Sequence, residues 1–213
     1  MLFTKPNKPN SISLLPPDDS LSFFEDFKRA SEFYWETVTL NREIYGYQIQ
    51  PGSKWKTGLS DNELIKFENI VGFSFPASLK NFYKVMNGLD RPCINISGEK
   101  PVFESKFYSF TDDLDLIAEM IESIYKRNKI SHNEILKSGI SRIFPIFAHR
   151  FMLIDVPGNP TLSMWGDDII YWADNVSKLL IKDVFDRLLS ATDYKNLTAY
   201  QPEIKFWLDE GQN

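Results

Sequence analysis

Apolar residues recur along this chain with two different periods. Up to Arg127 the dominant spacing is three and four residues; from Ile143 to Ala173 it changes to short alternating or continuous runs. The first period predicts helices and the second predicts strands. Leu21, Phe24, Phe27, Phe33, Tyr34, Trp35 and Val38 predict a helix across Leu21–Leu40, with Asp18, Asp19 or Ser20 as its cap. The stretch Trp55–Asp90 predicts two short helices joined by a Gly-Phe-Ser-Phe-Pro elbow. Ser60 and Glu63 form a capping box for the first, whose apolar face holds Leu64, Phe67 and Val71. Pro76 suits the first position of the second, Leu79, Phe82, Tyr83 and Met86 make its stripe, and Gly88 supplies a left-handed stop. A third helix is expected over Thr111–Arg127. Thr111 is its cap, Asp112, Asp113 and Asp115 complement its dipole, and Leu114, Ile117, Ile121, Ile124 and Tyr125 line one side.

The second half reads as a meander. Ile143–Phe147, Arg150–Val156, Thr161–Trp165 and Ile169–Ala173 are strand-like, separated by Val-Pro-Gly-Asn-Pro and by Gly166-Asp167, a two-residue hairpin signal. Asn175 or Ser177 then opens a closing helix carrying Leu179, Leu180, Val184, Phe185, Leu188 and Leu189. Met1–Ser20 reads as an extended arm, Tyr45–Gly58 as a loop with a Pro51-Gly52 turn, and Arg91–Lys106 as loops or edge strands. Helices first, a meander second and a helix last describe an α+β fold: a largely antiparallel sheet flanked by helices. Alternation places Trp165 with Ser163, and Ile170 with Trp172, while Met164, Leu162, Ile169 and Tyr171 point the other way. Both faces are therefore apolar: either helices cover both sides and leave at least one aromatic residue at the rim, the favoured reading, or an exposed aromatic strip awaits a partner.

The order of these pieces resembles the SMI1/KNR4 family, also called the SUKH superfamily. The matching features are Trp55, the helix through Glu68, Gly72, Phe75-Pro76, the helix through Met86, Asn87-Gly88, and then FPIFAHRFMLID, NPTLSMWGDDIIYWADN and KLLIKDVFDRLL. The resemblance runs from Trp55 to about Leu189. It divides the chain into an N-terminal arm and helix (1–54), a SUKH-like domain (55–190) and a C-terminal extension (191–213). Phe75 stands where Leu is commoner, and the long helix between Arg91 and Gly139 is absent from many members. The resemblance implies a bacterial immunity protein, one that neutralises a polymorphic or contact-delivered toxin by direct binding. It implies no enzymatic activity. A fungal branch makes a regulatory scaffold in cell-wall assembly and signalling the alternative.

Composition narrows this further. With 43% hydrophobic and 25% charged residues the 213-residue chain suits one soluble domain with additions, or one domain plus a helical arm. Aromatic residues reach 15%, more than a small core needs, so some are expected at a binding surface. A net charge of −5 argues against nucleic acid as a partner and is compatible with a basic protein partner, as it is with many mildly acidic proteins. Cys93 is the single cysteine, so no internal disulfide forms and a reducing compartment is expected. With no run of about 20 apolar residues and no signal-peptide pattern near Met1, the expectation is a cytoplasmic protein that does not engage a membrane.

The reactive residues are few. Cys93 has only His132 and His149 as potential bases and reads better as a small core residue. His149-Arg150 opens a strand, where a histidine more often bonds a carbonyl or lies half exposed. One cysteine and two distant histidines make no zinc set. Asp155, Asp167 and Asp168 form the one carboxylate group able to suggest Mg²⁺, Ca²⁺ or a hydrolase, but Asp167 and Asp168 are explained by the hairpin itself. No cofactor, metal or catalytic residue is therefore assigned. The expected partner is a cognate toxin, through its C-terminal toxic domain, and a homo-oligomer is compatible with the reading. The expected partner surface is the Gly166 hairpin with Asp167, Asp168 and Trp172, extended by Asp112 and Asp113 at the start of the third helix. Glu119 continues that acidic set.

Overall fold

The computed structural model describes residues 13–98, 102–137, 139–200, 204 and 206–208. Helix α1 spans Leu21–Trp35 and β1 spans Trp55–Thr57; α2 (Asp61–Val71), α3 (Ala77–Val85) and β2 (Met86–Leu89) follow. Next come β3 (Cys93–Asn95), β4 (Phe103–Ser105), α4 (Leu114–Arg127) and α5 (His132–Lys137). The meander is β5 (Ile143–Phe147), β6 (Arg150–Leu153), β7 (Thr161–Trp165) and β8 (Asp168–Ala173). Helix α6 (Val176–Val184), a 3-10 turn at Asp186–Leu188 and α7 (Ala191–Leu197) complete the order. All pairing is antiparallel: β1 with β2, β3 with β4, and a four-stranded sheet ordered β5-β6-β7-β8. The fold is α+β, as the two periods predict.

Three helix starts follow from local chemistry. Ser20 caps α1 by accepting from the Phe23 amide at 3.1 Å, and the full capping box forms at Ser60 and Glu63. Asn175 caps α6 by accepting from the Lys178 amide at 2.8 Å. Asp19, a candidate cap, is used across the fold instead. Its carboxylate accepts from the Ser177 amide at 2.7 Å and hydroxyl at 2.6 Å, tying the chain ahead of α1 to the start of α6.

Several boundaries differ from expectation, each for a tertiary reason. Helix α1 stops at Trp35, whose carbonyl accepts from the Gly52 amide at 2.8 Å. Pro76 is the residue before α3 rather than its first. Thr111 does not cap α4: residues 110–113 form a turn, and only Asp115 lies in the helix's first turn. Gly88 does not end α3; that helix gives way at Met86, which is extended, and Asn87-Gly88 continues as β2. Asn87 accepts from the Phe110 amide at 2.8 Å and donates to the Phe110 carbonyl, so the Asn-Gly pair clamps the approach to α4. A Cβ on Gly88 would sit 2.8 Å from Ser109 Cβ and 2.9 Å from the Phe107 carbonyl oxygen, which requires glycine there. The loop before Gly58 yields β1, Lys129 and Ile130 lead into the short unpredicted α5, and the closing helix ends at Val184 with α7 beyond it. The first twelve residues of the expected arm lie outside the described residues.

The sheet separates two apolar clusters. Phe144, Ile146, Met152 and Ile154 point into the larger one, among α1, α2, α3 and α6. Ile143, Phe151, Leu153, Leu162 and Met164 point into the smaller, with Ile124, Ile130, Ile204 and Trp207. Trp55 joins α1 to the body: its ring lies 4.8 Å from Phe107 and 5.6 Å from Trp35, and its indole donates to Ser31 at 2.9 Å. Phe23, Phe24 and Phe27 are fully buried, each contributing about 1.5–3 kcal/mol by area. Helix α1 is thus part of the main core, and Leu197, Ile204 and Trp207 are buried as well.

Candidate partner-binding surface

The β7–β8 hairpin projects the groups of interest. Trp165 pairs with Asp168 across a two-residue loop, and Gly166 supplies the positive φ, 69°, that such a turn requires. The tip is anchored to the end of α4. Asn128 donates from one amide to the Ile124 carbonyl at 2.9 Å and the Gly166 carbonyl at 3.0 Å, while the Arg127 stem lies alongside Gly166. Asp167 and Asp168 are exposed, and no described residue forms an ion pair with either. Trp165 is 68% exposed and Ile170 is 50% exposed, on one side of the sheet beyond the reach of α6. Both faces of the sheet are covered elsewhere, and Trp165 is an aromatic residue at the rim, where at least one was expected.

Trp172 has a different environment from the exposed anchor expected of it. Its ring lies between Arg150, at 3.5 Å to the centroid, and Lys182, at 3.6 Å, and its indole donates to Asp183 at 2.8 Å. Arg150 also donates to the Ser163 hydroxyl at 2.7 Å and lies 3.5 Å from Asp183. Burial pushes the Asp183 carboxyl upward, opposed by the Arg150 charge. Burial also lowers Arg150 and Lys182. Trp172 thus packs β8 onto α6 and supports the hairpin from behind.

The acidic start of α4 also divides. Asp113 is buried; it accepts from the Ser109 amide at 2.9 Å, the Ser109 hydroxyl at 2.6 Å and Lys106 at 2.7 Å. Burial raises its carboxyl, but the bonds from Lys106 and Ser109 outweigh this and hold it below the ordinary carboxylate range. Asp112 is exposed and pairs with Lys56 at 2.8 Å. These residues and the hairpin lie at opposite ends of α4, about 20 Å apart at 1.5 Å per residue. Between them is a pocket of about 240 Å³, lined by Trp165, His149, Lys106, Leu116, Met120 and Pro92 among others.

His149 occupies the turn between β5 and β6, its ring edge-on to Trp165 at 5.5 Å. The residue is half-buried, one of the two settings expected of it, and its Nδ1 has no hydrogen-bond partner among the described residues. Burial first, and the Arg150 charge second, lower its pKa to about 4, so the ring is neutral at physiological pH. Cys93 is fully buried and burial pushes its thiol well up, which removes the thiolate a nucleophile needs. The side chain of His132 lies outside the described residues. Asp155 is occupied by Arg142, through its amide at 3.1 Å and guanidinium at 3.9 Å. Among the described residues no three His, Cys, Asp or Glu side chains gather to hold a metal ion, and no helix is long and apolar enough to cross a membrane. A larger groove of about 580 Å³ lies between α2, α4 and α5, with polar lining limited to Glu122, Lys126 and Tyr125.

The expected surface lacks Trp165 and Ile170, and the support behind it lacks Arg150 and Asp183. Trp165 was accessible to sequence reasoning: a tryptophan closing a two-residue hairpin lies beyond flanking helices. Arg150 and Asp183 were not, because their partners come from separate elements.

Fold and surface together define an α+β domain that presents a hairpin, anchored at its tip by Asn128, beside a pocket. The sequence profile described as SMI1 / KNR4 family (SUKH-1) matches residues 58–191, more than half of the chain, and the protein belongs to that family. No curated protein and no solved structure matches the chain.

Proposed function

We propose that this protein is a non-enzymatic binding module of the immunity type, acting in the cytoplasm by binding a cognate toxin and occluding its working surface. The observation that carries the reading is Trp165, 68% exposed on a tip anchored by Asn128. A large aromatic side chain on an anchored turn beside a pocket is a common form of interface anchor. Asp167 and Asp168 beside it, with no described ion-pair partner, favour a basic surface on the toxin. The interface extends from the hairpin across the pocket towards Lys106 and Asp113, with Trp172 as a supporting group and Asp112 at the rim. Family membership is the independent support.

The test is binding of the purified full chain to the toxic domain encoded beside its gene. Trp165→Ala is expected to weaken the complex about 30-fold or more, and Asp167→Ala with Asp168→Ala about tenfold, as anchors and their flanking charges do. Asp112→Ala is expected to change it by less than about twofold, the usual size of a rim contribution. A complex indifferent to all of the hairpin substitutions sinks this placement; no complex and no neutralisation sinks the function.

A further inference from the structure

Among the described residues, the outer edge of β8 is open over part of its length, and the openings are defined. Met164 donates its backbone N–H to the His149 carbonyl at 2.9 Å, on the β6 side of β7. Its cross-strand partner on β8 is Ile169, so that pair exchanges no hydrogen bonds and the Ile169 N–H and C=O point away from β7. Tyr171, paired with Leu162 two residues on, has the same outward orientation. No described residue pairs with the outward backbone groups of Ile169 or Tyr171. The far end of the strand is sealed: Lys182 donates to the Trp172 carbonyl at 2.9 Å, and the Asp174 amide donates to the Leu197 carbonyl at 3.1 Å.

The open portion lacks most of the usual protection of an edge. It contains no proline or lysine, no helix among the described residues lies over it, and its one irregularity, between Thr161 and Leu162, falls at the sealed end. Ile170 is half exposed there, with Trp165 beyond it and Asp167 and Asp168 at one end. Backbone groups, an apolar side chain and fixed negative charge thus occur in a single line.

We infer that β8 accepts an extended segment of the toxin as a fifth strand. The segment bonds to the backbone of Ile169 and Tyr171, covers Ile170 with an apolar side chain and places a Lys or Arg against Asp167 and Asp168. Charge selects this occupant over a second copy, whose net charge is −5. The inference rests on the binding role proposed above and specifies its geometry.

Amide hydrogen exchange on the full chain, alone and with the toxic domain encoded beside its gene, tests it. The Ile169 and Tyr171 amides are expected to exchange rapidly in the free protein and about 100-fold more slowly in the complex. Ile169→Pro, which removes an outward donor at an edge where proline is tolerated, is expected to weaken binding about tenfold, while Ile169→Val retains it. If Ile169→Pro does not fold, the exchange measurement decides alone. A complex that forms with these two amides unprotected overturns the added strand and leaves the binding role standing. Concentration-dependent protection in the free protein overturns it in favour of a second copy. Failure to form any complex removes both.

Discussion

Arg150 lies face-on to Trp172, its guanidinium carbon 3.5 Å from the ring centroid, although 22 residues separate them in sequence. The contact joins β6 to β8 across β7 and brings the Arg150 guanidinium within 3.5 Å of the buried Asp183. A cation on an aromatic face and against a carboxylate keeps its charge while largely withdrawn from water. Behind the exposed hairpin, therefore, is a desolvated cluster whose members depend on one another.

Removing one member leaves its counterpart buried and unpaired. Arg150→Met is expected to cost about 3–5 kcal/mol, because Asp183 loses its guanidinium. Arg150→Met with Asp183→Leu is expected to regain more than half of that loss. Urea denaturation of both single variants and the double variant measures the coupling; additive losses would show that the pair acts independently.

His149 makes stability pH-dependent. Its folded pKa, about 4, lies below the ordinary 6.5, so the unfolded chain binds a proton more readily than the folded protein. Its contribution is complete above pH 6.5 and is lost as pH falls from there towards 4. The ring is partly exposed, so screening limits the effect to about 1–2 kcal/mol. His149→Gln is expected to flatten the stability profile across that window, read by thermal unfolding at a series of pH values.

Asn87 and Gly88 act on the approach to α4. Asn87→Ala leaves the Phe110 amide and carbonyl without their partner and is expected to cost about 2–3 kcal/mol. Gly88→Ala combines a positive φ of 77° with contacts under 3 Å to Ser109 and Phe107, at an expected cost of about 2–4 kcal/mol. Chemical denaturation checks both. A neutral Gly88→Ala would mean that the segment Phe107–Phe110 can shift without loss.

Charge at the hairpin is expected to act on encounter with the toxin. Raising ionic strength from about 0.05 to about 0.15 M should slow association several-fold and leave dissociation nearly unchanged. Asp167→Asn with Asp168→Asn should reduce that dependence. Stopped-flow association at several salt concentrations reads both; a salt-independent rate for the unaltered protein contradicts electrostatic steering.

Local rules governed the elements whose determinants lie within a few residues of one another. The Ser60–Glu63 capping box, the Gly166-Asp167 turn and the alternation in β5 to β8 are contacts of near neighbours, and their residue types reveal them. Trp165 was legible for the same reason, since strand period and hairpin length fix its side and its distance from the sheet's centre. Other positions were settled by contacts across long loops. Asp19 is drawn from a capping role to Ser177, 158 residues away. Asn87-Gly88 serves Phe110 rather than the end of α3, and Asp113 turns back to Ser109 and Lys106. Trp172 is enclosed because Arg150 and Lys182 reach it from two other elements. Sequence by itself determined period, turns and family, because local sterics and hydrogen bonding act over three or four residues. Only tertiary structure decided which polar side chains are consumed inside the fold and which remain for a partner, because burial depends on what the rest of the chain brings alongside.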